Sequence, residues 1–393
     1  MRTISKKLNK EEVEAFGKEV DSLREEVMSK VGKEDADHIR FIYKTYRYTE
    51  VLGRGLIHFS FEPISFVAGT LLLSISKIIN NMELGHNVLH GQYDWMNDPK
   101  FNSRTFEWDI VCNAHQWKFY HNYMHHTYTN VLNKDHDYGY NFTRLTEAQK
   151  WKPVHLTQPF TNMFLAMNFQ WGIGAHGYRV EYLETPKKLR KKKTLKDYKA
   201  VFFKKIEVQM LKDYILFPAL AGLNFPKVIL GNLLANLIRN LWTYAVIFCG
   251  HFTENAESFT TEEIAGETKA QWYLRQLKGS SNLDGSNLFY TMTGHLSHQI
   301  EHHMFPDMPA KRYREVAPRL KEICAKYGQH YNTGSFVKQF GSVWKRIIAY
   351  SFPDHIANKV MGKRKKYLEP SIVLSQPSFQ VSLPTEEKSV SLT

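Results

Sequence analysis

Three long apolar stretches interrupt a chain that is otherwise polar. They cover residues 56–80, 208–224 and 226–250. A transmembrane helix needs roughly 20 mostly apolar residues, and the first and third stretches are long enough. Lys212 and Asp213 make the second stretch marginal. The pattern favours membrane-spanning helices over buried core helices of a soluble protein, and it predicts an all-α integral membrane domain.

The remaining segments suggest how the chain is organised around that domain. Residues 1–50 are predicted to be an N-terminal cytoplasmic helical segment, with an amphipathic helix over 8–31. Residues 51–350 are assigned to the membrane domain. Residues 351–393 are assigned to a tail that lacks helical periodicity and is expected to be disordered. The pattern leaves open whether residues 40–80 cross a membrane once or twice.

Composition alone gives a different picture, because it averages over segregated polar and apolar regions. The 393 residues carry a formal charge of +13 and a mean hydropathy of −0.43, as a soluble basic protein would. The cysteines, Cys112, Cys249 and Cys324, are far apart. This spacing supports neither a disulfide framework nor a cysteine zinc site, and it fits a reducing cytoplasm. The N-terminus has no apolar segment typical of a secretory signal peptide.

Histidines fall into three clusters. The first has the pattern H-x-x-x-H and the other two have H-x-x-x-H-H; they contain His86 and His90, then His121, His125 and His126, then His298, His302 and His303. With 18 histidines in the chain, about 0.04 copies of H-x-x-x-H-H are expected by chance. Residues i and i+4 share a helix face, and neutral imidazole is the commonest protein metal ligand. The clusters therefore predict a metal site.

Eight clustered imidazoles exceed the roughly four to six ligands that one metal ion takes, so two metals are expected. The identity of the metal stays open at this point, because imidazole suits zinc, iron, copper and nickel. Soluble di-iron bundles use Glu-x-x-His pairs, and this chain has one such match, from Glu83 to His86.

The order of clusters and apolar stretches places all three clusters on one side of a membrane. No candidate span separates the first two clusters, and two candidate spans separate the second from the third. His251, directly after the last apolar stretch, emerges on the same side and is a further candidate ligand. Ten Lys and Arg lie between Lys187 and Lys205 on that side, which the positive-inside rule identifies as cytoplasmic.

Between about Gly53 and about Pro309 the chain resembles the membrane fatty acid desaturase family, and most closely its bacterial acyl-CoA desaturases. The resemblance is carried by three motifs: GHNVLHGQYDWMNDP, WKFYHNYMHHTYTN and HLSHQIEHHMFPDMP. It implies an O₂-dependent enzyme that forms a cis double bond, at Δ9, in a C16–C18 acyl chain carried by coenzyme A. It also implies about four transmembrane helices with a cytoplasmic helical cap that carries the histidine-rich di-iron centre.

Carried onto this sequence, the resemblance implies nine metal ligands: His86, His90, His121, His125, His126, His251, His298, His302 and His303. Some relatives have glutamine in the register of Gln299, and His298 is preferred here because imidazole is the better ligand. Residues expected to support the ligands from behind are Glu301, Asn130, Asp137, His295 and Gln299. Trp117 and Trp95 are candidate walls of an acyl tunnel.

The resemblance also implies partners. The chain has no His-Pro-Gly-Gly haem motif, so electrons are expected from a separate ferredoxin, rubredoxin or cytochrome b5 with an NAD(P)H reductase. A long-chain acyl-CoA and membrane lipid are the other expected partners, and no nucleic acid is expected. Candidate headgroup-binding residues are Lys187, Lys188, Arg190, Lys191, Lys192 and Lys193. The sequence favours neither of two ligands for this cluster: CoA phosphates and anionic lipid headgroups.

Three other functions fit the same histidines. A hydroxylase would use the same di-iron centre but leave oxygen on the product. A membrane zinc hydrolase would need neither O₂ nor a reductant. A metal or lipid sensor would bind acyl chains without turnover. Product and metal analysis distinguish these alternatives from a desaturase.

Overall fold

The computed structural model describes residues 5–188, 190 and 193–362. These residues are overwhelmingly helical, which confirms the all-α prediction, and the strands among them are a short parallel pair, β1 (Asn282–Asp284) and β2 (Thr333–Ser335). The α-helices in chain order are α1 (Lys10–Met28), α2 (Lys33–His58), α3 (Pro63–Ile79), α4 (Asn87–Leu89), α5 (Ala114–Trp117), α6 (His126–Tyr128), α7 (Gln158–Met167), α8 (Phe169–Glu184), α9 (Leu195–Met210), α10 (Phe217–Ala219), α11 (Phe225–His251), α12 (Lys269–Gly279), α13 (Asn287–Met292), α14 (Gln299–Met304), α15 (Tyr313–Lys326), α16 (Phe336–Ser351) and α17 (Asp354–Met361).

Wider π-helical turns join several of these helices. Within the described residues they are Asn80–His86 after α3, Lys118–His125 after α5 and Leu211–Leu216 after α9. The π-helix is rare and is frequently found at functional sites. The first two segments carry histidines of the first and second clusters.

The predicted N-terminal amphipathic helix is present as α1. Asn9 caps it by accepting a hydrogen bond from the backbone N–H of Glu12 (2.9 Å), and the Glu12 carboxylate accepts one from the backbone N–H of Asn9 (2.9 Å). Its buried face includes Phe16 and Val20, which share a core with residues of α12, α14 and α15. The predicted boundary at residue 50 lies inside α2, so a continuous helix joins the N-terminal segment to the next one.

The first apolar stretch is divided between two helices that run antiparallel. Pro63 opens α3, and the Glu62 carboxylate caps that helix by accepting from the backbone N–H of Ser65 (2.8 Å). The helices cross where Gly53 of α2 meets Gly69 of α3, because a Cβ on either glycine would lie 2.9 Å from the other's backbone oxygen. Residues 33–79 therefore pass through this part of the molecule twice.

The third apolar stretch forms α11, and the second one is interrupted. In the part of the chain that the structure describes, two helices are long and apolar enough to span a membrane: Pro63–Leu89 and Gly222–His251. The stretch 208–224 is not one of them. Its π-helical turn contains Asp213, which is fully buried and forms an ion pair with Lys77 of α3 (Oδ2 to Nζ, 2.8 Å).

Helices α7 and α8 form a hairpin that packs against the middle of α11. The side-chain amide of Asn240 donates to the carbonyl of Met167 (2.8 Å), and its oxygen accepts from the backbone N–H of Gln170 (3.4 Å). Both residues flank the break between the two helices. The α8 arm of this hairpin lies beside the second histidine cluster, and it contributes Ile173 and His176 to the surroundings of that cluster.

The segment that was predicted to be a disordered tail, residues 351–393, begins with a further helix. Residues 354–361 form α17, which packs on α16 through a small buried core that contains Tyr350, Ala357 and Met361. Helical periodicity in this segment is too short to stand out in the sequence, and the packing against α16 stabilises it. Residues 363–393 lie outside the described residues.

Candidate metal centre

Histidines from four parts of the fold meet at one place. His86 is the last residue of the first π-helical turn, and His90 follows α4. The second π-helical turn carries His121 and His125, and His126 opens α6. His251 is the last residue of α11, while His302 and His303 lie on α14. The structure thus brings together eight of the nine predicted ligands.

The ring nitrogens form two neighbouring groups. In the first, one nitrogen from each of four histidines lies within 4.8 Å of the others: His86, His90, His121 and His302. The second group contains His125, His251 and His303 at the same spacing. His126 groups with both His302 and His303, so it lies between the two positions. This arrangement of ring nitrogens fits two adjacent metal positions.

The free nitrogens point inward. Nε2 has no hydrogen-bond partner in five of these buried or half-buried rings: His86, His90, His121, His126 and His302. In the second group, the Nε2 atom of His251 lies 3.0 Å from that of His303 and 3.3 Å from that of His125. Buried polar atoms in a folded protein are normally paired. A metal ion accounts for these lone pairs, because Nε2 of a neutral imidazole is a metal donor.

Two carboxylates orient rings of the second cluster from behind. The Nδ1–H of His121 donates to Asp137 (3.1 Å), and that of His125 donates to Asp135 (2.9 Å). Asp135 also accepts from the backbone N–H of Asn130 (2.7 Å). Asp137 also contacts His176 Nε2 (3.1 Å). A bond at Nδ1 fixes the tautomer in which Nε2 carries the lone pair.

Neutral groups contact Nδ1 of three other candidate ligands. Asn87 accepts from the Nδ1–H of His86 (3.1 Å). The hydroxyl of Thr129 donates to the carbonyl of His125 and is therefore the acceptor for Nδ1–H of His303 (3.1 Å). The Tyr313 hydroxyl donates to the carbonyl of Phe305 and lies 3.4 Å from Nδ1 of His302.

Burial favours the neutral form of the rings, but at His125 the Asp135 carboxylate outweighs burial and raises the pKa. Burial holds the pKa of His126, His302 and His303 well below the usual value, and the neighbouring imidazoles lower it further. Burial alone would raise the pKa of Asp137, but hydrogen bonds from His121 and His176 lower it below its usual range. The site therefore combines neutral rings at His126, His302 and His303 with a carboxylate, Asp137, that stays ionised behind His121.

The structure does not bring His298 to this centre. The His298 ring packs against Tyr290 (4.6 Å between centroids), and Gln299 instead contacts His251 (Nε2 to Nε2, 2.9 Å). The preference for His298 assumed one regular helix through the third cluster. In the structure α14 begins at Gln299, and His298 has a non-helical backbone (φ −106°, ψ 57°), so its side chain points elsewhere.

Of the predicted supporting residues, Asp137 and Gln299 contact candidate ligands directly. The Glu301 carboxylate instead accepts from Tyr331 (2.6 Å) and Asn282 (2.8 Å). The side chain of Asn130 donates to backbone carbonyls, and only its backbone N–H supports the site, through Asp135. His295 is bonded to the buried carboxylate of Glu83 (2.8 Å), which also contacts His38 (2.8 Å).

Sequence reasoning missed Asp135, Asn87, Thr129 and Tyr313. A signal for Asp135 was present, because it and Asp137 alternate directly after the second cluster. Asn87 and Thr129 are close to ligands in the chain, but their side chains are common in turns and caps and so carry no specific signal. Tyr313 lies on α15 and reaches the site only through tertiary packing.

A small cavity adjoins the centre. Its volume is about 40 Å³, and His121, His125 and His251 face it on one side. The apolar side is formed by Tyr140, Ile173, Ile247, Phe252 and Leu296. The predicted wall residue Trp117 lines the cavity and stacks on His121 (4.4 Å between centroids). Trp95 does not line it; that side chain is 43% exposed and donates to the carbonyl of Gln92.

The basic candidate headgroup residues lie between α8 and α9. Lys187, Lys188 and Lys193 are exposed, and the guanidinium of Arg190 lies over the ring of Tyr182 (4.6 Å). Lys191 and Lys192 lie outside the described residues. Glu184 at the end of α8 accepts from His136 (2.7 Å). This bond ties the start of the basic segment to the loop that carries Asp135 and Asp137.

Comparisons with known proteins agree with this site. A family model described as fatty acid desaturase matches residues 63–335. The chain is 41% identical, over 350 residues, to the NADPH-dependent stearoyl-CoA 9-desaturase of Mycobacterium tuberculosis, covering 87% of this chain and 81% of that protein. It is 25% identical, over 289 residues, to the sn-1 linoleoyl-lipid 6-desaturase of Synechocystis sp., covering 69% of this chain and 77% of that protein.

Proposed function

This chain belongs to the fatty acid desaturase family, a family of oxidoreductases, and from that premise we propose that it forms a cis double bond at Δ9 of a C16–C18 acyl-CoA. The observation that carries the proposal is the pair of adjacent histidine groups, with ring nitrogens within 4.8 Å of one another. The 41% identity to a stearoyl-CoA 9-desaturase over most of both chains supports the substrate and the position.

The proposed cofactor is a pair of irons. The proposed ligands are the eight converging residues, His86, His90, His121, His125, His126, His251, His302 and His303. Two irons in these positions would supply the O₂ reduction and hydrogen removal that no side chain can perform. Asp135 and Asp137 would hold His125 and His121 in the tautomer that directs Nε2 at the metal. The site's burial excludes bulk water from the centre.

The proposed acyl-binding site is the cavity beside the centre. Its apolar side chains face a chain of methylenes, while His125 and His251 on the other side bring the metal positions within reach. Ile173 of α8 and Ile247 of α11 come from two different helices. They would fix the depth of the chain and so decide which pair of carbons faces the irons.

The proposed site for the CoA phosphates is the basic segment after α8. Lys187, Lys188, Arg190 and Lys193 supply cations at the surface, and Lys191 and Lys192 belong to the same segment of the sequence. Arg and Lys clusters bind phosphate through charge-assisted hydrogen bonds. The tie between Glu184 and His136 (2.7 Å) connects this segment to the metal-supporting loop.

We propose that residues 51–350 form the catalytic domain and that it crosses the membrane four times, through α2, α3, α9 with α10, and α11. All four passes expose large apolar side chains, among them Leu52, Ile64, Val67, Leu71, Val208, Ile215, Leu216, Leu230 and Leu233, and the turns between them expose Phe59, Phe61 and Leu223. Two hairpins return the chain to the side of the histidines, which the basic segment identifies as cytoplasmic. The electron donor would be a separate NAD(P)H-linked ferredoxin, rubredoxin or cytochrome b5.

The proposal is tested by product analysis. The full chain is expressed in a cell of known lipid composition with a co-expressed electron donor, and fatty acids are identified by gas chromatography–mass spectrometry after double-bond derivatisation. We expect a new Δ9 monoene that His125→Ala abolishes. His115→Ala is the matched control, because the His115 side chain is 76% exposed and lies outside the centre.

Each other result points elsewhere. Hydroxy acids among the products would show that the enzyme hydroxylates its substrate at the same centre and does not desaturate it. A monoene at another carbon would overturn Δ9 alone. No new lipid from a well-expressed protein that contains zinc would overturn the di-iron proposal and favour a hydrolase.

A further inference from the structure

The cavity beside the metal centre is far too small for its proposed occupant. Its volume is about 40 Å³, whereas pockets that bind small molecules measure roughly 300–1,000 Å³. One water molecule needs roughly 10–15 Å³ of such space, so the present cavity holds only a few water molecules. An acyl chain can enter only if part of the wall moves.

Most of the wall is held by regular helices or by the metal centre. Ile173 and Ile247 lie within α8 and α11, and the histidines face the metal positions. Phe252 and Leu296 lie outside the α-helices but are buried. Tyr140 lies in the loop between the second cluster and α7 and is half-buried, and Phe142, two residues later, is 41% exposed. At Tyr140 the wall of the cavity therefore belongs to a loop that reaches the protein surface.

The backbone that carries Tyr140 is strained. Gly139 (φ +70°), Tyr140 (φ +51°) and Asn141 (φ +64°) are three consecutive residues in the left-handed region. Glycine and asparagine adopt this region readily, but it is unfavourable for a residue as bulky as tyrosine. Such strain persists only where surrounding contacts hold it, and it clusters at functional sites.

Aromatic contacts hold Tyr140 in place. Its ring stacks nearly parallel on Phe248 of α11 (5.9 Å between centroids) and meets His176 of α8 edge-on (5.2 Å). An acyl chain that replaced these contacts with its own methylenes would free the backbone to relax. Such an exchange of apolar contacts would give the segment a second arrangement, which is what a ligand-driven switch requires.

The same loop reaches the metal centre. The backbone N–H of Tyr140 donates to the carbonyl of Asp137 (3.4 Å), and the Asp137 side chain orients His121 and contacts His176 (3.1 Å each). His176 in turn lies against the Tyr140 ring. Movement of Tyr140 would therefore also displace His121, a candidate ligand of the first metal position.

We propose that Tyr140 is the movable wall of the acyl cavity, and that Gly139–Asn141 is the hinge that swings its ring aside to admit a long apolar chain. This inference rests on the proposed function, since it takes the acyl chain as the occupant. Tyr140 becomes a residue that touches substrate and controls its entry.

The test measures entry without turnover. Full-length, iron-loaded protein in lipid nanodiscs is mixed anaerobically with cis-parinaroyl-CoA, and energy transfer from protein tryptophans reports association. If the closed state leaves about 1–10% of molecules open, Tyr140→Ala should associate roughly tenfold faster or more, and the bulkier Tyr140→Trp should associate more slowly. Tyr140→Phe keeps the ring and should behave as the wild type.

Phe142→Ala is the matched control, because it removes an aromatic ring from the same loop outside the cavity wall and should leave the rate unchanged. Iron content and binding amplitude identify any variant that is misfolded, and such a variant is left out of the comparison of rates. A second readout is the near-ultraviolet and visible spectrum of the iron centre on anaerobic probe binding, which should shift in the wild type and less in Tyr140→Ala.

The outcomes separate this inference from the proposed function. Equal association rates in wild type, Tyr140→Ala and Tyr140→Trp, with a monoene still formed by the wild type, would overturn the movable wall alone. Absence of probe binding to the wild type, together with absence of a monoene, would overturn both.

Discussion

At the residue scale, the chemistry of the centre is decided at the nitrogen that faces away from the metal. His86, His121, His125, His302 and His303 each have a partner at Nδ1. That bond fixes the ring plane and places the lone pair on Nε2. In these buried rings, the orienting group determines the donor strength that a metal ion would meet.

Asp135→Asn should weaken metal binding without unfolding the protein. The carboxylate accepts from both the His125 Nδ1–H (2.9 Å) and the Asn130 N–H (2.7 Å), and the neutral amide loses the charge that strengthens His125 as a donor. Loss of such a partner typically costs 10–100-fold in metal affinity. Iron retained per chain, measured by mass spectrometry during titration with a chelator, checks this expectation.

Asp37→Asn is the control for that substitution. Asp37 is a surface carboxylate, 54% exposed, that pairs with Lys33 (3.3 Å), and surface pairs contribute little to stability. Equal iron retention in the two variants would mean that the backbone alone orients His125.

At the element scale, helix–helix contact decides which small residues matter. Two glycines lie two residues apart in α2. A Cβ at Gly53 would lie 2.7 Å from the backbone nitrogen of Leu73, whereas a Cβ at Gly55 would meet no atom within 4 Å. Backbone atoms cannot rotate away as a side chain can. The close approach of α2 and α3 therefore depends on Gly53 and not on Gly55.

Gly53→Ala and Gly55→Ala should have opposite effects on stability. Overpacking at Gly53 should lower the free energy of unfolding by about 1–3 kcal/mol. At Gly55 the added methyl group should raise it by about 0.5–1 kcal/mol, because alanine loses less conformational entropy in a helix than glycine does. Thermal unfolding of both variants in the same detergent measures the difference. Equal melting temperatures would show that α2 and α3 can separate without cost.

At the scale of the whole molecule, the metal centre joins elements that are distant in the chain. The first π-helical turn, the second one, α11 and α14 each supply candidate ligands. The α14 ligands rest on a core that α1, α12 and α15 complete. A metal ion bound at this centre would therefore stabilise the two candidate spanning helices together with α1, α12, α14 and α15, because the ion would bind only when all of these helices are assembled.

The stability of the metal-free protein should fall as the pH falls below about 6.5. Burial lowers the pKa of His126, His302 and His303 from 6.5. Between the two pKa values the unfolded chain binds protons that the folded chain does not, which costs at most about 1.4 kcal/mol per pH unit for each histidine. Above pH 6.5 this penalty is absent and neutral rings bind metal.

Thermal unfolding with and without a chelator, between pH 5 and pH 8, checks this expectation. The stabilisation by iron should be largest above pH 6.5. In the metal-free protein, His303→Gln should reduce the dependence on pH, and His115→Gln, at the exposed residue, should not. A metal-free protein with a flat profile below pH 6.5 would contradict neutral, buried rings.

The sequence by itself determined the all-α class of the fold and singled out eight histidines that converge in the structure. Local spacing was sufficient for these conclusions, because H-x-x-x-H-H repeats and long apolar stretches act within a few turns of helix. The same spacing failed at His298, since it cannot show that α14 begins one residue later. The apolar pattern also treated residues 56–80 as one stretch, whereas the structure divides them between α2 and α3.

Only the tertiary structure decided what each residue faces. Gly53 and Gly55 read alike in the sequence, and the approach of α3 distinguishes them. Tyr313 reaches His302 and Ile173 reaches the cavity because separate helices pack together. Tyr140 is unremarkable as a residue type, and its left-handed backbone arises from the contacts around it. Local propensity acts over a few residues, whereas these relations depend on packing between segments far apart in the chain.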